Sequence, residues 1–363
     1  MKKQFKVYIL FAAFLFISSS LFAQKSGEYK LIEVPSPSLK NCLIDSKDVQ
    51  KVGIYLPPSY KESNKSYPVV YFLSGYTVQP GQWPPTGWID SIMTHQLVQE
   101  MIFVEISGYN MFQGTMYANS PVTGYWEDFV TKDVISFIDK NYRTLAKRES
   151  RGIAGHSMGG AGTFNISLKH ADLYSVAYPM SPAIAASDAL MKGMFADKNA
   201  MNALENLANK MKDVPNDKFA ETLKTELKPY NGALDWILAY GAAFAPDISK
   251  PLKILLPYEI SKDGKLTKIE KNWKLWEQGF GDIDEKVKLY KANLLKYRHY
   301  SIDCGYQDGI KWIYEGTIYI ADLLTKNQIP YSSHLYSGDH TNKVSEQLAN
   351  RVLPIMSAYL IKE

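Results

Sequence analysis

The sequence predicts an α/β fold: a mostly parallel central sheet flanked by helices, with a mainly helical insertion. Three observations predict it. Short apolar runs rich in β-branched and aromatic residues, such as YPVVYFLSG (67–75) and MIFVEIS (101–107), read as buried strands. They alternate with stretches of helical spacing, which implies parallel βαβ units with right-handed crossovers. From about Ala183 to Leu294 this rhythm lapses and helical spacing takes over. At 363 residues and 46% hydrophobic content, the chain can build a sizeable core.

The N-terminal stretch stands apart. Lys2, Lys3 and Lys6 precede an apolar run from Val7 to about Ile17, and small residues lead to Ala23. This is the layout of a secretory signal peptide over residues 1–23, so 24–363 is the expected mature chain, secreted or periplasmic. The apolar run is short for a membrane-spanning helix. The residue directly after Ala23 is Gln24 and not a cysteine, which argues against a lipid anchor. Removing 1–23 takes away three lysines and no acid, so a formal charge of +4 falls to +1. No basic surplus remains for nucleic acid, and no membrane association is expected after cleavage. Cys42 and Cys304 are the only cysteines; an exported chain could pair them, but two make neither a disulfide framework nor a Cys-rich metal site.

Along the mature chain, VGIYLPPSY (52–60) starts as a strand and stops at Pro57-Pro58. In DFVTKDVISFIDKNY (128–142), Phe129, Val130, Val134, Phe137 and Ile138 recur at helical intervals. SRGIAG (150–155) reads as a short strand, AGTFNISLKHA (161–171) as a helix and YSVAYPMSP (174–182) as a strand. Within the insertion, Met201, Leu204, Leu207 and Met211 share one helix face. Residues 217–227 and 232–244 also read as helices, and 258–270 as a hairpin turning at Asp263-Gly264. Strand signals return at YRHYSIDCG (297–305). The insertion is expected to cap the active site rather than pack at its side.

One serine decides the chemistry. In RGIAGHSMGGAG (151–162), Ser157 sits in a Gly-x-Ser-x-Gly pattern. The pattern alone arises by chance in roughly one chain in ten of this length. Here it falls where a strand hands over to a helix, the context of a nucleophile elbow. Gly155 and Gly159 flank a turn too sharp for side chains. The amide of Met158 then lies at a helix N-terminus, suited to an oxyanion. A serine hydroxyl needs a base, and in the α/β-hydrolase fold the order is Ser, then an acid, then His. Of six histidines, only His299, His334 and His340 follow at a distance. His340 lies in the loop YSGDHTN (336–342) beyond the strand that holds His334, so His340 is the expected base. Asp308, in the loop beyond Gly305, is the expected acid, preferred over Asp303 at the strand end. The second oxyanion amide is expected after the strand ending LSGY, at Tyr76.

VGIYLPPSY, YPVVYFLSGY, YANSPVTGYWEDFV, NYRT, GIAGHSMGGAGTFNISLKHADLYSVAYPMSPA, IDCGYQDG and SGDH stand in an order that resembles the "putative-esterase" family of α/β-hydrolases. The resemblance covers about 52–182 and 297–345. It implies a Ser157 nucleophile, an Asp308 acid and a His340 base, with oxyanion amides at Met158 and Tyr76, and neither cofactor nor metal. It places 117–129 near the active-site side; Trp126, Glu127 and Asp128 there are expected to start a helix rather than touch substrate. Ser74-Gly75 stands where the family usually has His-Gly, and the insertion is larger than in compact members. The implied function is an exported serine carboxylesterase acting on a small or polysaccharide-linked ester, such as feruloyl or acetyl groups on plant polysaccharides. Hydrolysis of a siderophore trilactone, acyl transfer to a sugar, and a non-catalytic binding protein are the rival expectations.

Overall fold

The structure, a computed structural model, describes residues 26–82, 87–186 and 195–362. The signal peptide expected over 1–23 lies outside the described residues, as does 187–194 within the insertion. Among the described residues, eight strands form the main sheet: β1 (Glu28–Pro35), β2 (Val49–Leu56), β3 (Val69–Leu73), β4 (Ile102–Ile106), β7 (Arg151–His156), β8 (Val176–Met180), β11 (His299–Gly305) and β12 (Ser332–Tyr336). Their spatial order is β1-β2-β4-β3-β7-β8-β11-β12. β2 runs antiparallel to both β1 and β4, and the remaining pairs are parallel. Two small hairpins complete the strands among the described residues, β5 (Asn119–Ser120) with β6 (Gly124–Tyr125) and β9 (Tyr258–Ile260) with β10 (Leu266–Lys268).

The central strands are apolar on both faces because helices cover both. On one face Val70, Phe72, Phe103, Tyr178 and Met180 pack with Ile89, Ile92, Leu353 and Met356 of the helices Trp88–Thr94 and Leu353–Tyr359. On the other, Tyr71, Leu73, Val104 and Ile153 meet Phe129, Ile138 and Phe164. That second core runs on into the insertion, whose helices include Lys198–Met211, Phe219–Leu227, Asp235–Phe244 and Glu270–Phe280. The expected face of Met201, Leu204, Leu207 and Met211 is buried. Tyr240 anchors the insertion: its ring lies 4.7 Å from Phe195, 5.5 Å from Trp276 and 5.0 Å from Phe280.

Two local expectations change in detail. The 128–142 helix begins at Trp126 and carries a π-helical turn, Phe129–Val134, before Ile135–Asn141. The helix after the serine starts at Met158, earlier than the apolar spacing suggested, because its glycines hide its first turn from a hydrophobicity pattern. The edge strand β1 and the long helix Lys311–Lys326 lacked sequence signals strong enough to place them beforehand. Cys42 and Cys304 are both free thiols.

Strand register sets the site. Leu73 at the end of β3 pairs with Gly155 of β7, and Gly155 pairs with Pro179 of β8. The loop after β3 therefore leaves the sheet beside the serine turn. On the far side, Gly305 pairs with Tyr336, which sends the loops bearing Asp308 and His340 out of the sheet together. Tyr306 and Gln307 donate backbone hydrogen bonds to Tyr336 and Gly338, tying those two loops to each other.

Candidate active site

Ser157 occupies the turn between β7 and the helix Met158–Lys169, with φ 57° and ψ −116°. A non-glycine residue held there stores strain of order 1–3 kcal/mol, which the surrounding contacts must offset. They are mostly backbone contacts. The Ser157 amide donates to the Met180 carbonyl at 3.0 Å, and the Ser157 carbonyl accepts from Ala161 and Ala183. A Cβ on Gly155 would sit 2.4 Å from the Gly159 carbonyl oxygen, and one on Gly159 only 1.9 Å from that of Leu73. Glycine is required at both positions because main chain meets main chain.

Three side chains converge on this turn. The His340 Nδ1 lies 2.6 Å from the Asp308 Oδ2, and its Nε2 lies 2.8 Å from the Ser157 Oγ. An ionised carboxylate only accepts, so Nδ1 carries the proton and donates to it. That leaves Nε2 free to accept from the serine hydroxyl, which is the tautomer a general base needs. Asp308 is itself fixed: its Oδ1 accepts from the Ile310 amide at 2.8 Å, its own amide donates to Gly305, and its side chain is fully buried.

The other five histidines are engaged elsewhere. His334 lies beside Arg351 and Tyr336, His299 beside Ser332 and Tyr359, His170 bonds Glu127, and His95 bonds the Ser91 carbonyl. His156 was expected to be a structural part of the turn, and its contact is specific. Its Nε2 donates to the His340 carbonyl at 2.7 Å, and the two rings lie 4.8 Å apart. Burial and the neighbouring His340 hold its pKa down at about 3, so it stays neutral. Asp303 accepts from the Tyr178 hydroxyl and the Ser181 amide, and burial pushes it up to about 7.

Two amides were expected to face a developing oxyanion. Met158 is the first residue of its helix, so its N–H has no intrahelical acceptor. Tyr76 follows Gly75 in the loop after β3, where Ser74 donates to Ile106 and Thr77 to Gln113. The two residues meet at Gly114: a Cβ there would lie 2.5 Å from the Met158 Sδ and 2.6 Å from the Tyr76 ring.

Sequence reasoning missed the residue that brings the insertion to this loop. Trp236 meets Tyr76 edge to face, ring centroids 4.8 Å apart, and the adjacent Asp235 accepts from the Gln113 side chain. In the 117–129 segment a helix starts at Trp126, with Glu127 and Asp128 in its first turn. Glu127 pairs with Lys169 and His170, Asp128 with Lys132, and Trp126 is buried. Among the described residues, no group of three or more His, Cys, Asp or Glu side chains could hold a metal ion.

A family model described as "Putative esterase" matches residues 47–228. An endo-1,4-beta-xylanase/feruloyl esterase of Xylanibacter ruminicola is 28% identical over 134 residues, which are 35% of this chain and 18% of that protein. A Mycobacterium tuberculosis esterase is 28% identical over 124 residues, 33% of this chain and 26% of its own length. The matched regions thus span about a quarter or less of these relatives. Among solved structures, a ferulic acid esterase superposes with a TM-score of 0.59 at 18% identity, covering 92% of this chain and 99% of that one. An S-formylglutathione hydrolase from Agrobacterium tumefaciens gives 0.52 at 14%, covering 93% and 97%. At such identities these structures establish the α/β-hydrolase fold.

Proposed function

This chain belongs to the putative-esterase family of α/β-hydrolases, and from that premise we propose that it is an exported serine carboxylesterase. The observation that carries the reading is the single imidazole, His340, within hydrogen-bond reach of both Ser157 and Asp308. Ser157 Oγ attacks the ester carbonyl while His340 Nε2 takes its proton. Asp308 holds the imidazolium that forms. The Met158 and Tyr76 amides receive the negative charge that develops on the carbonyl oxygen. Collapse expels the alcohol, protonated by His340, and leaves an acyl group on Ser157. Water, deprotonated by the same imidazole, then releases the acid.

The substrate class we propose is a feruloyl or acetyl ester on a plant polysaccharide. A relative that couples xylanase and feruloyl esterase in its name supports it, as does the aromatic pair Tyr76–Trp236 beside the site. We assign the insertion 183–294 the part of a cap that contributes this aromatic edge. Export follows from the leader-like residues 1–23.

The test is turnover of p-nitrophenyl acetate, methyl ferulate and acetylated xylan by purified 24–363 beside Ser157→Ala. Hydrolysis by the unaltered protein, lost in the variant, is expected. Full activity in Ser157→Ala would sink the mechanism. Retained activity in His340→Ala together with loss in His334→Ala would overturn the base assignment.

A further inference from the structure

The strand β4 reads Ile-Phe-Val-Glu-Ile, four apolar residues and one acid. That acid, Glu105, is 3% exposed and makes no ion pair among the described residues. A buried carboxylate needs hydrogen-bond donors. Glu105 has three, from two segments, β1 and the loop after β3. The Tyr29 hydroxyl of β1 donates to Oε2 at 2.7 Å, the Ser74 hydroxyl donates to Oε1 at 3.3 Å, and the Gly81 amide donates as well. Space for this group is made by a glycine. Gly53 pairs with Glu105 across the strands, and a Cβ there would lie 2.8 Å from the carboxylate and 2.4 Å from the Tyr29 oxygen.

Two of the three donors, Ser74 and Gly81, flank Tyr76 in the loop after β3. The Ser74 carbonyl is held in addition by the Tyr117 hydroxyl at 2.9 Å. On one side this loop faces open space. Ser74, Gly75, Glu105 and His156 line a cavity of about 300 Å³ together with Phe72 and Phe103. A loop backed by open space depends on polar ties to keep one conformation.

We propose that Glu105 is a positioning residue for the reaction: through Ser74 and Gly81 its carboxylate clamps the loop that presents the Tyr76 amide. This rests on the reading of Ser157 as nucleophile and Tyr76 as oxyanion donor. A carboxylate serving the fold alone would, when replaced, lower thermal stability and leave turnover per folded molecule unchanged. A clamp shows itself as a split between kcat and KM, because the oxyanion amide acts mainly in the transition state.

The experiment uses the full mature chain. Glu105→Gln, Glu105→Asp and Ser74→Ala are compared with the unaltered protein. The readouts are kcat and KM on p-nitrophenyl acetate, the rate at which a fluorophosphonate labels Ser157, and the melting temperature. Glu105→Gln is expected to lower kcat and labelling together by about tenfold to a hundredfold, with KM within about twofold. Ser74→Ala, which removes one tie, is expected to lower both by about threefold to tenfold, and Glu105→Asp to recover part of the loss. A folded Glu105→Gln with unaltered kcat and labelling overturns the clamp. If Glu105→Gln does not fold, an unchanged kcat in Ser74→Ala overturns it instead. Failure of the unaltered protein to be labelled at all would remove the nucleophile reading, and the clamp with it. Labelling at the unaltered rate in every variant would remove the clamp alone.

Discussion

The serine turn and the helical insertion are both tightly packed around glycines, yet what the glycines meet is different. At Gly159 an added Cβ would strike the Leu73 carbonyl at 1.9 Å, a main-chain atom fixed by the sheet. At Gly279, in the insertion, it would strike the Tyr240 hydroxyl at 2.3 Å and the Phe244 ring at 2.5 Å. One site is a meeting of backbones, the other of side chains. Backbone cannot yield without breaking hydrogen bonds, whereas side chains can repack if volume is conserved. A backbone-built site therefore demands particular residues and leaves a motif. A side-chain-built region accepts many sequences and leaves only an apolar periodicity.

This contrast can be broken or sharpened by four measurements. Ser157→Ala should lower kcat/KM by about 10⁴-fold or more while the protein stays folded. A drop of less than about tenfold would mean that the chemistry is not organised around this turn. Gly159→Ala should come next. Overpacking against side chains costs about 1–3 kcal/mol, and against the Leu73 carbonyl the cost should exceed that range. Gly279→Ala should fall within it, so chemical denaturation of the two variants ranks the regions directly. Equal losses would erase the distinction.

Trp236→Ala tests where substrate choice resides. If the insertion supplies the aromatic edge of the site, the ratio of kcat/KM for methyl ferulate over p-nitrophenyl acetate should fall about tenfold. An unchanged ratio favours an insertion that packs at the side. The smallest effect concerns His156. Its folded pKa, about 3, lies below its ordinary value of 6.5. Between those values the unfolded chain binds a proton that the folded one does not, so stability is lost as pH falls from about 6.5 towards 3. Asp303, raised to about 7, acts in the opposite sense, so the difference between two proteins is the useful quantity. His156→Gln should show a melting temperature that falls less steeply on acidification, by up to one proton's worth of linkage. Parallel curves would show that His156 is not held neutral by the fold.

Much of the fold was legible because strands β3, β4 and β8 are buried on both faces and so read as largely apolar runs. The edge strand β1 alternates in exposure, and its Tyr29, Lys30 and Glu33 dilute the signal. Asp308 and His340 were legible because loops after the last strands are few and the order of the groups is constrained. Glu105 was not: a single acid inside an apolar strand carries no spacing rule, and its donors Tyr29 and Ser74 lie 76 and 31 residues away. Trp236 was hidden for a related reason. A tryptophan on an amphipathic helix reads as core until its neighbour across the fold is known.

Residue types and local spacing alone determined the α/β alternation and the glycine-walled turn at Ser157. These are short-range matters, set by backbone sterics and by the period of burial. Tertiary structure decided the rest. It joined Ser157 to His340 across 183 residues, set His156 under the His340 carbonyl, and laid Trp236 against Tyr76. Such contacts depend on strand order and register, which place loops distant in sequence at one edge of the sheet. No local pattern encodes which of those loops will meet.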